Sequence, residues 1–380
     1  MSEPVSELSP KGEEHGALQH KEPAKYPWID VLRGVAILGV IAHHASLYEP
    51  GLGPVVRFFG GFGKMGVQLF FVASAITLCL SVAQRAERHP VLSFYIRRYF
   101  RIAPLYYLGI IFYAIYSIPF NYLHGYGLHA DSAYNLPNIS ANAFFVHGFY
   151  APANNTVVPG GWSIATEMSF YACFPLLFAS SERLGKWRLA AAGLIIAFCG
   201  VVELAIGNLT GHWPWNTDFE YYSLLNQMPV FLIGILAYYR LKSTPTRMLP
   251  AAITGILALL VTFGLWQSES HMAYFFIPIL CACAFSALAL VLSQLRIRYP
   301  HLLIAIGKRS YSIYVLHVAF LHLAIWGRNG LHAHLPPTVD CLILFLFTLL
   351  LSYIGAQITE RQIERRGISL GRKIVAAVQT

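Results

Sequence analysis

The chain has 380 residues, 56% hydrophobic and only 12% charged, with a formal net charge of +9. Soluble domains carry about 25% charged residues, so there is too little charge to coat the two or three domains this length would otherwise suggest. Disordered, collagen-like and nucleic-acid-binding classes are excluded by the same numbers.

Apolar runs recur along the whole length, and the chain reads as an all-α, polytopic integral membrane protein with about ten transmembrane helices. Residues 1–27 are polar and contain no apolar core, so they are expected to be a disordered cytoplasmic arm ahead of an uncleaved first span. Crossing the hydrocarbon core takes about 20 mostly apolar residues. Such runs lie near 31–48, 65–84, 98–119, 162–179, 189–208, 222–241, 249–267, 273–293, 307–326 and 339–358. Residues 28–371 then form one ten-helix membrane domain, and 372–380 a short cytoplasmic tail.

The charge pattern orients these spans. Of the 27 lysines and arginines, all but Arg33, Arg57, Lys64 and Arg328 fall in the arm or in the segments 85–101, 183–188, 240–247, 296–309 and 361–373. The long segment 120–161 holds none. Basic residues concentrate on the cytoplasmic side, which places both termini there and makes the net charge a record of topology. No nucleic-acid partner is expected. The six cysteines all sit in apolar runs without zinc or redox spacing, and they read as buried thiols. No metal site is expected.

Ionisable residues inside spans are costly and mark candidate sites. In the first span, Asp30, Arg33 and His44 share one face, because eleven residues make three turns plus about 20°. Arg33 to His44 is about 16 Å along the axis. In the third, Arg98 and Arg101 are one turn apart at the basic end, and a guanidinium pair suits phosphate. The fourth carries Trp162, Ser163 and Glu167. With Trp162 in an interfacial belt, Glu167 falls at the depth of His44. The ninth carries Ser310, Tyr314 and His317 along one stripe, with Tyr311 beside them and His317 expected near mid-membrane. Each has a structural counterpart: Arg33 as a snorkelling anchor, Arg98 and Arg101 as ordinary inner-side charge, Glu167 in an ion pair, His44 and His317 in helix–helix hydrogen bonds.

Taken in series from about Asp30 to Gly371, these segments resemble acyltransferase family 3, the integral-membrane O-acyltransferases. Arg33 and His44 fit the family's basic-residue-then-histidine motif, and Arg98 and Arg101 its paired arginines. Trp162, Ser163, Glu167, Phe170 and Tyr171 fit the Trp-Ser…Glu…Phe-Tyr segment. Ser310, Tyr311, Tyr314 and His317 fit the Ser-Tyr…Tyr…His segment, and Ile363-Glu364 the Ile-Glu near the last helix. Gln68 stands where the family usually has Asp, Ala75 where Gly is usual, and Arg366 where Pro is common.

The resemblance implies acetyl-CoA or another acyl-CoA as donor and no metal. It implies a carbohydrate, glycolipid, other lipid-linked or macrolide-like acceptor, and residence in a bacterial inner membrane. Arg33, Arg98 and Arg101 would hold the donor phosphates. His44 would act as general base, oriented by Glu167, with an acyl-enzyme on His44 left open. Asp30, Trp162, Ser163, Ser310, Tyr311, His317 and Glu364 would support the site. The competing reading is a proton-coupled transporter using His44, Glu167 and His317 as a relay; the absence of an internal repeat counts against it.

Overall fold

A computed structural model describes residues 26–123, 133–210, 217–243, 247–268, 271–330 and 335–379. The expected arm falls almost wholly outside them. Among the described residues every regular element is helical. α1 (Pro27–Leu47) leads into the short α2 (Pro54–Phe62), then α3 (Gly66–Ala83) and the 34-residue α4 (Pro90–Leu123). A short α5 (Leu136–Ala143) precedes α6 (Gly161–Leu184) and α7 (Arg188–Thr210). The one-turn α8 (Asp218–Tyr222) runs into α9 (Leu224–Ser243), followed by α10 (Met248–Gln267) and α11 (Ala273–Gln294). α12 (His301–Lys308), α13 (Ser310–Gly330), α14 (Pro337–Thr359) and α15 (Arg365–Gln379) complete the chain.

Nine stretches of described residues are long and apolar enough to cross a membrane. One of them, Gly161–Leu209, contains two helices, α6 and α7, broken at Gly185 where φ is +51°. The ten expected spans therefore correspond to α1, α3, α4, α6, α7, α9, α10, α11, α13 and α14. Composition explains the outward faces: on α10, Leu249, Ile253, Leu257 and Leu260 are all exposed, as a lipid-facing stripe requires. Local chemistry sets the ends. Pro sits in the first turn of α1, α2 and α14, where its missing N–H costs nothing. Thr217 and Glu220 cap α8 reciprocally.

The site is positioned by α1, which runs through the middle of the bundle against α3, α12, α13 and α14. Backbones approach closely there because the contacts are glycine. A Cβ on Gly307 would lie 1.8 Å from the carbonyl oxygen of Asp30. Small residues let helices in lipid approach until backbones touch. The segment 372–379, expected as a tail, is the end of α15, which lies along α4. Gln379 clasps α4 and the residues before it, donating to Ser93 Oγ at 2.7 Å and accepting from the Arg88 amide at 2.6 Å.

Gly307→Ala should therefore force α12 off α1. Overpacking of this kind costs about 1–3 kcal/mol, read as a lower melting temperature in detergent. An unchanged melting temperature would show that the contact is not tight.

Candidate active site

Two polar clusters lie along α1, one at each end of the Arg33–His44 face. At the basic end, Arg33 donates to Thr77 Oγ1 of α3 at 3.0 Å, with the Asp30 carboxylate 3.9 Å away. Arg98 on α4 reaches inward over the rings of Phe94 and Tyr171, 5.8 and 5.9 Å from their centroids. Arg101, one turn on, shares the electrostatic neighbourhood of Arg33 and of Glu364.

What separates Arg98 and Arg101 from Arg97, Arg309 and Arg328, which are also half-buried, is pairing. Arg97 forms two 2.7 Å bonds to Glu87. Arg309 pairs with Glu360, and Arg328 with Glu49 and Asp340. Arg98 and Arg101 have no carboxylate within 4.0 Å among the described residues, and the buried Nε of Arg98 has no hydrogen-bond partner. A half-buried guanidinium without a counter-ion is costly unless an anion completes it.

Glu167 belongs to this cluster. Its Oε1 accepts from Ser74 Oγ at 2.5 Å and from Tyr171 OH at 2.6 Å. Among the described residues it makes no hydrogen bond to His44, the contact expected to orient that ring. Trp162 lies at the start of the same helix. Its indole is buried, stacked at 4.2 Å on Tyr222 and edge-on to Phe71, instead of standing in an interfacial belt. The start of α6 is thus packed inside the bundle.

The second cluster surrounds His44. Its half-buried ring lies 5.1 Å from that of His317 on α13 and 5.3 Å from that of His43. His44 makes no hydrogen bond among the described residues, whereas His43 is engaged through Nδ1 to the Gly60 carbonyl at 3.2 Å. His317 is fully buried, with Nδ1 2.6 Å from the Tyr314 carbonyl. Tyr314 OH donates to Gly160 O at 3.1 Å and receives Ser163 Oγ at 2.9 Å. Gly160 takes φ +80°, and a Cβ there would meet the Tyr314 hydroxyl at 2.9 Å, so glycine is needed twice over.

The remaining expected residues act between the helices. Tyr311 OH donates to the Ile102 carbonyl of α4 at 2.8 Å, and Ser310 is buried at the start of α13. Glu364, buried, accepts from Ser312 Oγ. It ends a π-helical turn, Glu360–Glu364, a form common at functional sites. Sequence reading did not single out Thr77 and Ser312 as members of these clusters; a hydroxyl within an apolar run is the signal that would have flagged them. Gln68 is fully buried and donates to Tyr221 OH and Gln227 Oε1 at 3.2 and 3.0 Å. Its site is a neutral amide network. A separate cavity of about 690 Å³ is lined by Tyr26, Trp28, Gln84, Tyr238 and Lys242, with none of the candidate residues in its wall. Among the described residues no group of three or more metal-ligating side chains occurs.

This is an integral membrane protein whose interior holds uncompensated guanidinium groups below a pair of imidazoles. Residues 26–357 match the family model described as an acyltransferase domain, and the chain belongs to that family, acyltransferase family 3. It is similar to the peptidoglycan O-acetyltransferase OatA of Listeria monocytogenes, 26% identical over 326 residues that cover 78% of this chain and 49% of that protein. It is also similar to the O-acetyltransferase OatA of Staphylococcus aureus, 24% identical over 372 residues that cover 91% and 58%. The chain spans about half to three-fifths of the length of these curated relatives. No solved structure matches it.

Glu167→Ala should leave two hydroxyls without an acceptor. Hydrogen bonds to a charged group are worth about 1.5–3 kcal/mol each, so melting in detergent should drop clearly. Glu167→Gln, which still accepts, should melt closer to wild type. Equal melting of the two variants would remove Glu167 from this role.

Proposed function

We propose that the protein is a membrane O-acyltransferase that moves an acyl group, acetyl first among candidates, from a cytoplasmic acyl-CoA to a hydroxyl of a carbohydrate or lipid-linked acceptor. The observation that carries this reading is the unpaired Arg98–Arg101 pair beside Arg33, within a family of acyltransferases. Coenzyme A is a polyanion whose phosphates suit planar guanidinium forks. With the basic end in the cytoplasm, its extended arm follows the face of α1 from Arg33 towards His44, a span of about 16 Å.

At His44 the thioester meets the acceptor hydroxyl. A neutral imidazole with both nitrogens unengaged takes the hydroxyl proton as the oxygen attacks the carbonyl carbon. Glu167, out of direct contact with the guanidinium groups, fixes Tyr171, against whose ring the Arg98 guanidinium rests. Asp30 holds Arg33 at the basic end. Trp162, Ser163, Ser310, Tyr311 and Glu364 set the relative positions of α4, α6, α13 and the π-turn. The printed names of the similar proteins, one of which acts on peptidoglycan, support an acetyl group and a cell-surface glycan. A bacterial cytoplasmic membrane is the compartment where such an enzyme would work.

The test is acyl transfer from radiolabelled acetyl-CoA into alkali-labile esters in membranes. His44→Ala should abolish transfer at normal expression, and full activity would end its assignment. Arg98→Ala with Arg101→Ala should raise the acetyl-CoA KM about tenfold or more, since each charged hydrogen bond contributes about 1.5–3 kcal/mol. An unchanged KM would end the phosphate role. Uptake of solute without any ester formed would favour the transporter reading instead.

A further inference from the structure

His44 lacks the partner a catalytic imidazole needs. A general base is effective when a second group fixes which nitrogen carries its proton. Glu167 does not fill that role, because both its contacts go to Ser74 and Tyr171. His43 turns away to the Gly60 carbonyl.

His317 has the required chemistry. A carbonyl oxygen only accepts hydrogen bonds, so the 2.6 Å contact from Nδ1 to Tyr314 O fixes the proton on Nδ1. Nε2 is then a bare acceptor. It is completely buried and has no partner, which is rare for a polar atom in a folded interior. The His44 ring lies close by, 5.1 Å away between ring centroids and tilted by 50°. The χ2 torsion of histidine is broad, so the His44 ring is free to turn and offer an N–H to that lone pair.

We infer that His317 is the positioning residue for His44: its Nε2 accepts the N–H of His44 and leaves the other His44 nitrogen as the base aimed at the acceptor hydroxyl. This rests on the acyltransferase reading above. The hydroxyl proton passes to that nitrogen as the new carbon–oxygen bond forms. The resulting imidazolium keeps its second proton and is stabilised by the bond to His317 Nε2. When the adduct collapses, the carbon–sulfur bond breaks and the same proton leaves His44 for the thiolate of coenzyme A. Tyr314 joins the chain at its other end. Its carbonyl locks His317, while its hydroxyl is held by Ser163 and Gly160. The order is therefore α6 to α13 to α1.

Two substitutions separate this role from simple packing. His317→Asn keeps an N–H able to reach the Tyr314 carbonyl but removes the acceptor at the Nε2 position. His317→Gln reaches far enough to put an amide oxygen there. Measured with radiolabelled acetyl-CoA in membranes, the Asn variant should lose about 100-fold in turnover with the acetyl-CoA KM unchanged. The Gln variant should stay within about tenfold of wild type. An Asn variant as fast as wild type overturns the assignment. So does an Asn variant that loses donor affinity or folded protein, since that marks His317 as structural, and so does a Gln variant as slow as the Asn one. If wild-type membranes form no ester at all, the acyltransferase reading itself falls. If wild type does form esters and only the His317 predictions fail, that reading stands.

Discussion

A guanidinium removed from water has to find negative charge or hydrogen-bond acceptors nearby, and the low dielectric of a membrane protein makes this requirement strict. Several of the half-buried arginines obey it with a carboxylate of the same chain, as Arg97 does with Glu87 and Arg309 with Glu360. Arg33 obeys it partly, through Thr77 and a loosely placed Asp30. Arg98 and Arg101 do not. The surrounding helices nevertheless hold Arg98 in place through ring contacts and through the Glu167–Tyr171 bond. Positive charge is thus stored at one end of the bundle in a form that only an incoming anion can complete.

The remaining polar interior follows from that arrangement. Glu167 accepts from Ser74 and Tyr171 beside the arginine cluster and makes no hydrogen bond to the imidazoles among the described residues. The second cluster is built from neutral groups instead: hydroxyls of Ser163 and Tyr314, the Gly160 carbonyl and two histidines. Charge at one end and neutral hydrogen bonding at the other suit a donor that is ionic at its head and uncharged at its reactive tail.

Much of this was legible in the sequence. Ten apolar runs became ten helices, because backbone polarity in lipid admits little else. The eleven-residue spacing set Arg33 and His44 on one face because α1 is unbroken between them. Depth was harder. Trp162 looks like an interfacial anchor by residue type, and only the packing of Tyr222 and Phe71 around it shows that α6 begins inside the protein. The pairing state of each arginine was also hidden, since Arg97 and Arg98 are neighbours in sequence and opposite in circumstance. The amphipathic α15 was missed as a helix because its apolar positions, too few for a span, alternate with charge.

The π-helical turn at Glu360–Glu364 sets the rotational phase between α14 and α15. One residue along a helix is about 100° of rotation. Gly367 and Gly371 meet Phe100 only in the present phase, with Gly367 so close that a Cβ would lie 2.5 Å from the Phe100 carbonyl. An in-frame loss or gain of one codon in this short stretch would turn the glycines away and swing charged side chains against α4. The segment should therefore tolerate changes of letter far better than changes of length.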